Sequence, residues 1–224
     1  KVLHRLQISF SEVPFCPLKV AWTSYLHPLA SPLCLVYDGL LSHAIIEAGH
    51  FVDADMVAHV FLFLAAVLGL KHKQIRIVDA GANIGALSVL LARLGFTVEA
   101  FEVDFLNLVA LRLNAMRLHL DRANVLQGPR LSCLPDLGKI SIHEIALGDE
   151  KRKVLVSKHF QGQAASDGAL TTVLWYEKDM FLSEEKYDWV PMTSLDARFK
   201  GDAFPISFIK LDIEGSEWRA LIGA

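Results

Sequence analysis

The sequence has little of several features, and each shortage excludes a class of protein. Its 224 residues include only three cysteines, Cys16, Cys34 and Cys133, which are too few and too scattered for a disulfide framework or a zinc site. A reducing, cytoplasmic compartment is therefore the default. Basic and acidic side chains nearly balance, with a net charge of −3, so a nucleic acid is not an expected partner. No internal repeat occurs, and a content of 53% hydrophobic residues excludes a disordered tail.

Long hydrophobic runs are also lacking. The main apolar block, Met56–Leu70, has acids before it and Lys71 after it, and it contains His59. A membrane-spanning helix needs about 20 apolar residues, so no transmembrane span is expected in this segment. We predict a buried core helix that leads into the first strand of the core. The alternative is a membrane-associated segment of a longer natural protein.

The most informative stretch that is present is Ile75–Gly85, with the sequence IRIVDAGANIG. Its β-branched residues predict a strand that ends near Asp79, and apolar residues every three or four positions over 84–94 predict a helix. A second predicted strand, Thr97–Phe101, is followed by Glu102, which lies 23 residues after Asp79. In such βαβ units a ligand lies over the carboxyl ends of the strands, and the second acid can bind ribose hydroxyls. A solvated charge is the alternative for Glu102.

The turn follows the pattern D-x-G-x-N-x-G, formed by Asp79, Gly81, Asn83 and Gly85. A dinucleotide site needs G-x-G-x-x-G, whereas Asn83 and Ala86 replace the second and third glycines here. S-adenosylmethionine has no phosphates and carries an ammonium and a sulfonium, so an acid such as Asp79 would attract it. The same acid would repel a pyrophosphate. The pattern therefore favours S-adenosylmethionine, although Asp79 could instead complement a helix dipole.

A second motif covers residues 206–218, ISFIKLDIEGSEW. The nearly continuous apolar run Ile206–Leu211 predicts a strand that is covered on both faces in a parallel sheet. Lys210 interrupts the run, so it must either reach solvent near the strand end or pair with a carboxylate.

Asp212, Glu214 and Glu217 follow that strand, at the sheet edge where Asp79 and Glu102 should also lie. We therefore expect five carboxylates at one rim, with helix capping as the alternative role for one or two of the last three. Clustered oxygens suit magnesium or calcium, but no supporting histidine spacing or calcium loop occurs. We expect no metal site.

These motifs resemble those of the FkbM-type methyltransferases. The similar segments are Asp79–Gly85, Ala100–Glu102, Asn107, Asn114, Ile145–Asp149, Ser194–Asp196 and, most specifically, Ile209–Glu217 of the form I-K-x-D-x-E-G-x-E. The resemblance covers roughly residues 71 to 222. The sequence departs from the family in having Val103, followed by Asp104, where a proline is usual, so Asp104 could compete with Glu102 for the ribose. It also stops before the further core strands of the family.

The resemblance implies an α/β protein with the Rossmann-like sheet of class I methyltransferases, flanked by helices and truncated at the C-terminus. Residues 71–224 would be the S-adenosylmethionine-binding core, and residues 1–70 an N-terminal lead-in or cap with a helix before the first core strand. The implied activity is S-adenosylmethionine-dependent O-methylation of a hydroxyl on a sugar, glycolipid or other small-molecule acceptor. Two alternatives remain, a nicotinamide dehydrogenase and a catalytically silent binding module.

The resemblance also implies roles for individual residues. The cofactor-binding residues would be Asp79, Gly81, Asn83 and Gly85 in the turn, Glu102 at the ribose and Ala146 near the adenine.

Asp212 and Glu214 would border the reaction centre as catalytic residues. Either could be the general base, with His143 and His159 as alternatives. Lys210 is also a catalytic candidate, because it could keep one of these carboxylates ionised. A purely structural salt bridge is the alternative for Lys210.

Overall fold

The computed structural model describes residues 9–12, 19–23, 33–36, 52–71, 74–125, 137–157, 173–174 and 187–224. The N-terminal part forms an antiparallel sheet of three strands in sequential order: β1 (Ser9–Glu12), β2 (Lys19–Thr23) and β3 (Leu33–Val36). Of the first 51 residues, only these strands belong to the described structure.

The next elements alternate between helix and strand, as expected for a parallel sheet. They are α1 (Val52–Val67), β4 (Arg76–Ala80), α2 (Ala86–Arg93), β5 (Thr97–Phe101), α3 (Phe105–Val125) and β6 (Lys139–His143). The strands and helices predicted on either side of the Gly81 turn are thus confirmed.

The remaining elements are β7 (Ala146–Leu147), β8 (Arg152–Ser157), β9 (Val173–Leu174), β10 (Tyr187–Thr193), α4 (Leu195–Phe199), β11 (Phe208–Leu211) and α5 (Glu217–Ile222). Strands β7 to β10 form a second sheet in the order β7-β10-β8-β9. In it β10 pairs in parallel with β7 and antiparallel with β8.

The central sheet is parallel and has the strand order β11-β4-β5-β6. The chain moves from β4 to β5 and β6 on one side, and later returns to place β11 on the other side of β4. The direction of winding therefore reverses between β4 and β11. Ligands of open parallel sheets bind at such a reversal, at the carboxyl ends of the strands.

Alternate residues of β4 face two apolar clusters, because side chains on a strand point to opposite faces in turn. Ile77 packs with residues of α1, α2 and α3 on one face. Val78 and Ala80 pack with Leu195 of α4 and Ala220 of α5 on the other. The result is a sheet with helices on both faces, the α/β fold class that the sequence predicts.

Helix α1 is the core helix predicted for the apolar block, but only one of its faces is buried. Ala58, Phe61 and Ala65 pack into the same cluster as Ile77, and the Phe61 ring stacks on Phe208 of β11 at 5.1 Å. The opposite face exposes Met56, Val60, Phe63 and Val67. Among the helices of the described ranges, none is long and apolar enough to cross a membrane. The domain boundary expected near residue 70 stays a prediction.

The prediction that the Ile206–Leu211 strand is covered on both faces is wrong for the described residues. Strand β11 lies at the edge of the central sheet, and Ile209 is 39% exposed. Helix α5 has only six residues and its cluster reaches Leu211 but not Ile209. An apolar run of four to six residues thus predicts a strand, but it does not predict how much of that strand other elements bury.

Candidate functional site

A cleft lies at the carboxyl ends of the central strands, where the winding of the sheet reverses. It contains about 480 Å³ of empty space, part of it open to solvent. Its walls come from the segments that follow β4, β5, β6 and β11. The lining residues are Gly81, Phe101, Glu102, Val103, Ile145, Ala146, Leu147, Asp212, Ile213, Glu214 and Ser216.

The turn after β4 requires glycine at two places. Gly81 has φ of 73°, and a Cβ there would overlap the carbonyl oxygen of Asp212. Gly85 has φ of 83° and precedes α2, where a Cβ would overlap the Leu111 side chain. Any other residue would be strained at these angles. The turn is therefore pressed between α3 and the loop after β11.

Asn83 also adopts a left-handed backbone, with φ of 52°. Asparagine tolerates this conformation because its short polar side chain can bond to nearby backbone. Here Asn83 Oδ1 accepts a hydrogen bond from the Ile84 N–H at 2.7 Å, and the Asn83 N–H donates to Glu102 Oε2 at 2.8 Å. An asparagine thus serves at the place where a dinucleotide-binding turn has glycine.

Glu102 follows β5 and closes one side of the cleft. Its Oε1 accepts hydrogen bonds from the N–H groups of Val103 and Asp104, at 2.7 and 2.8 Å, in addition to the Asn83 bond. Burial raises the pKa of Glu102 to about 7, because desolvation of the carboxylate outweighs these three backbone donors. An ionised carboxylate has about four acceptor positions, so one remains for a ligand hydroxyl.

Asp104 and Asn114 organise the backbone around Glu102. Asp104 Oδ1 accepts a hydrogen bond from the Asn107 N–H at 2.9 Å and so caps α3. The expectation that Asp104 competes for the ribose is therefore not supported. Asn114 Nδ2 donates to the Ile84 carbonyl at 2.7 Å and fastens α3 to the glycine turn.

Asp79 lies at the end of β4 but does not line the cleft. It is fully buried, and its Oδ2 accepts a hydrogen bond from Ser88 Oγ at 2.6 Å. Its Oδ1 lies 3.4 Å from Lys210 Nζ. Asp79 is therefore not among the described residues that line the cleft, and its expected contact with a cation of the cofactor stays a prediction.

Lys210 interrupts an apolar strand, and its ammonium is paired with carbonyl and carboxylate oxygens. Its ammonium donates hydrogen bonds to the carbonyls of Ala80 and Gly81, at 3.2 and 2.8 Å. It also lies within ion-pair distance of two carboxylates, because Asp212 Oδ2 is 3.6 Å away in addition to the buried Asp79. One side chain thus joins β11 to the glycine turn.

The three acids after β11 differ in their surroundings. Asp212 has a side chain that is 68% exposed, and Glu214, with φ of 53°, is half-buried in the cleft wall. Glu217 Oε1 instead accepts hydrogen bonds from the N–H groups of Ile213 and Gly215, at 2.9 and 3.2 Å. Partial burial acts to raise the pKa of Glu217, but hydrogen bonds from its own backbone N–H and from these two donors outweigh it and lower the pKa.

The expected rim of five carboxylates is therefore only partly formed. Glu102, Asp212 and Glu214 line the cleft, whereas Asp79 is buried below it and Glu217 stabilises the loop. Within the described ranges, no group of three or more His, Cys, Asp or Glu side chains could hold a metal ion.

The segment after β6 lines the cleft with apolar side chains. Ala146 lines it together with Ile145 and Leu147. His143, the preceding candidate base, points into another network, because its Nε2 lies 2.6 Å from Glu99 Oε2 and its Nδ1 lies 3.1 Å from Arg198 Nη2. The other histidine candidate, His159, is outside the described residues.

Sequence reasoning missed two serines. Ser88, on α2, binds the buried carboxylate of Asp79, and no pattern in the sequence marks this contact. Ser216 lines the cleft from a variable position of the I-K-x-D-x-E-G-x-E pattern, so the pattern itself gave no signal.

A known protein family matches the part of the sequence that forms this cleft. The sequence model of the "Methyltransferase FkbM domain" matches residues 79–224, which is more than half of the chain. No curated protein matches significantly. A crystal structure of methyltransferase FkbM from Methylobacillus flagellatus KT is similar over 67% of this chain, with 24% identity and a TM-score of 0.39.

The chain spans 28% of the length of that crystallised protein. The family match favours a methyltransferase over the nicotinamide dehydrogenase alternative, in agreement with Asn83 and Ala86 in the turn. From the Asp79 turn to the loop after β11, the motifs of the cleft fall inside the matched region, and the chain belongs to the FkbM methyltransferase family.

Proposed function

We propose that the chain binds S-adenosylmethionine in this cleft and transfers its methyl group to a hydroxyl of a small-molecule acceptor, such as a sugar or glycolipid. The observation that carries the proposal is the pairing of Glu102, at the end of β5, with Asp212 and Glu214 across one cleft. A ribose-binding acid and a proton-accepting acid would then face the same ligand.

The cleft fits the proposed cofactor in shape and charge. Gly81 lets the turn after β4 pack directly against the Asp212 carbonyl at the cleft, and Glu102 retains an acceptor position for a ribose hydroxyl. Ala146 and its apolar neighbours offer a surface for the adenine. The lining side chains of the described residues carry three carboxyl groups and no cation, which suits a sulfonium and an ammonium better than a phosphate.

S-adenosylmethionine supplies an electrophilic methyl group, so the protein must align the acceptor oxygen and remove its proton. Asp212 is the preferred general base because its exposed carboxylate can reach a hydroxyl at the cleft mouth. Glu214 is the second choice, since it is half-buried in the wall.

Lys210 acts as a positioning residue in this proposal. Its contacts with Asp212 and with the carbonyls of Ala80 and Gly81 keep the base at a fixed distance from the glycine turn. Asp79 is proposed to act through Lys210, as its buried counter-ion, rather than through contact with the cofactor.

Calorimetric titration of the intact chain tests cofactor choice. We expect binding of S-adenosylmethionine and no binding of NADH. Above pH 7, where the Glu102 carboxyl is ionised, Glu102→Gln should weaken binding at least tenfold, because a charged hydrogen bond is lost. The matched control is Glu150→Gln, a change of an exposed glutamate in the turn after β7, which should leave affinity unchanged. A folded chain that does not bind S-adenosylmethionine would contradict the proposal.

Acceptor chemistry needs a second experiment with a labelled methyl donor. Neutral sugars and glycolipids should accept label, and phosphorylated versions of the same compounds should accept much less, because the rim of the cleft is acidic. Cofactor binding without transfer to any hydroxyl compound would instead favour a silent binding module.

A further inference from the structure

Ser216 is a polar residue of the cleft that has no role in the proposed function so far. The residue is 1% exposed and lines the cleft, and its Oγ has no hydrogen-bond partner among the described residues. Buried hydroxyls nearly always have a partner, so an unpaired one in a ligand cleft calls for a specific explanation.

Helix capping does not provide that explanation. Serine before a helix commonly accepts a hydrogen bond from a backbone N–H of the first turn. Ser216 precedes α5, yet its side chain makes no capping bond. The Ser216 carbonyl accepts from the Arg219 and Ala220 N–H groups, and the Glu217 carboxylate accepts from the preceding loop, so none of these bonds uses the Ser216 hydroxyl. The hydroxyl is thus not used by the fold.

The neighbourhood of Ser216 indicates what it could bind. The other polar side chains that line the described cleft belong to Glu102, Asp212 and Glu214, and an ionised carboxylate can only accept hydrogen bonds. Ser216 is therefore the one neutral side-chain donor among the described lining residues. Ala220, one turn further along α5, packs in the apolar cluster that contains Leu147.

A flat heterocycle with acceptor atoms matches both properties. Adenine has apolar faces that suit the wall at Ala146 and Leu147, and its ring nitrogens need donors, which a carboxylate cannot supply. We propose that Ser216 Oγ donates a hydrogen bond to a ring nitrogen of the cofactor adenine. This inference rests on the proposed binding of S-adenosylmethionine.

Calorimetry with S-adenosylhomocysteine and its 1-, 3- and 7-deaza analogues tests the contact. Ser216→Ala should weaken binding of the parent compound about five- to tenfold, the size expected for one neutral hydrogen bond. For one deaza analogue, wild type and Ser216→Ala should bind equally, because the acceptor is already missing. Equal binding of the parent compound by both proteins, or the same loss with all three analogues, would overturn the inference.

Thermal unfolding without ligand distinguishes a role of Ser216 in binding adenine from a role in stabilising the fold. Ser216→Ala should leave the melting temperature unchanged or raise it, since the hydroxyl has no partner to lose. Ser194→Ala is the matched control and should lower it, because Ser194 Oγ accepts from the Ala197 N–H at 3.2 Å and caps α4. A similar fall in both variants would contradict a ligand role for Ser216. Failure of the wild type to bind S-adenosylhomocysteine would instead contradict the proposed cofactor.

Discussion

Single residues of the glycine turn and the cleft combine unusual backbone angles with specific hydrogen bonds. Asn83 is the clearest example, because it takes a left-handed backbone and bonds both to its own turn and to Glu102. The sequence suggested that this asparagine distinguishes the turn from a dinucleotide-binding one. The reason is local and needs no knowledge of the remaining fold: asparagine can adopt the required backbone angle, and its side chain completes the turn.

The raised pKa of Glu102 makes folding stability depend on pH. The pKa of Glu102 is about 7 in the folded state and 4.5 for an ordinary glutamate, so the folded state favours the neutral carboxyl. This contribution is complete below pH 4.5 and is lost as pH rises through 7, for a total of about 3 kcal/mol. Urea unfolding of wild type and Glu102→Gln should therefore give free-energy curves that separate between pH 5 and 8. Parallel curves would show that Glu102 titrates alike in both states.

The close approach of Gly81 to the Asp212 carbonyl can be tested separately from the backbone strain of a left-handed residue. Gly81→Ala should lose cofactor affinity and stability, because the new Cβ meets the Asp212 carbonyl. Gly69→Ala is the control: Gly69 has a similar φ of 64°, but no atom lies within 4 Å of the added Cβ. Left-handed strain costs roughly 1 kcal/mol in each variant, so a larger loss at Gly81 measures the clash. Equal losses in urea unfolding would mean that the loop after β11 simply moves away.

At the scale of elements, the sequence predicted the strands and helices around the glycine turn well. Their apolar periodicity is strong, and Gly95 ends the helix with φ of 90°. The exposure of β11 was not predictable, because coverage of a strand depends on distant elements. The sequence left open whether Glu217 faces the cleft or caps a helix, and in the structure its carboxylate instead binds N–H groups of the preceding loop.

Lys210 links two elements, β11 and the turn after β4. A double-mutant cycle measures the interaction free energy between Lys210 and Asp79. Lys210→Met should lower the free energy of unfolding by roughly 3 kcal/mol, because it leaves the buried Asp79 without its cation. Asp79→Asn should restore part of this loss in the double variant, since the buried charge is then also gone. Lys200→Met, at an exposed position after α4, should have little effect. Additive losses would indicate that Lys210 and Asp79 do not interact.

At the scale of the molecule, α1 is part of the core that carries the cleft. Phe61 is buried and stacks on Phe208 of β11, the strand that leads to Asp212. The sequence predicted a core helix here from its length and apolar content. It did not predict that one face would remain exposed, because α1 is apolar on nearly all sides and its pattern does not mark the buried face.

Two phenylalanines on α1 give a matched pair for this packing. Phe61→Ala should cost about 3–5 kcal/mol of unfolding free energy, the range for large-to-small changes in cores. Phe63→Ala should change it little, because Phe63 is 67% exposed. Denaturant unfolding at constant pH checks both. Similar small effects would show that α1 is only loosely attached to the sheet.

The tight contact between Gly81 and Asp212 has a consequence for how the two proposed ligands affect each other. No room separates the turn from the acid-bearing loop, so a shift of either one is passed directly to the other. A bound cofactor that shifts the turn would therefore also shift the loop that carries Asp212, and so change the affinity for the acceptor. Reciprocity of binding free energies requires the same factor in the opposite direction. Acceptors should thus be recognisable by how strongly they tighten the binding of S-adenosylhomocysteine.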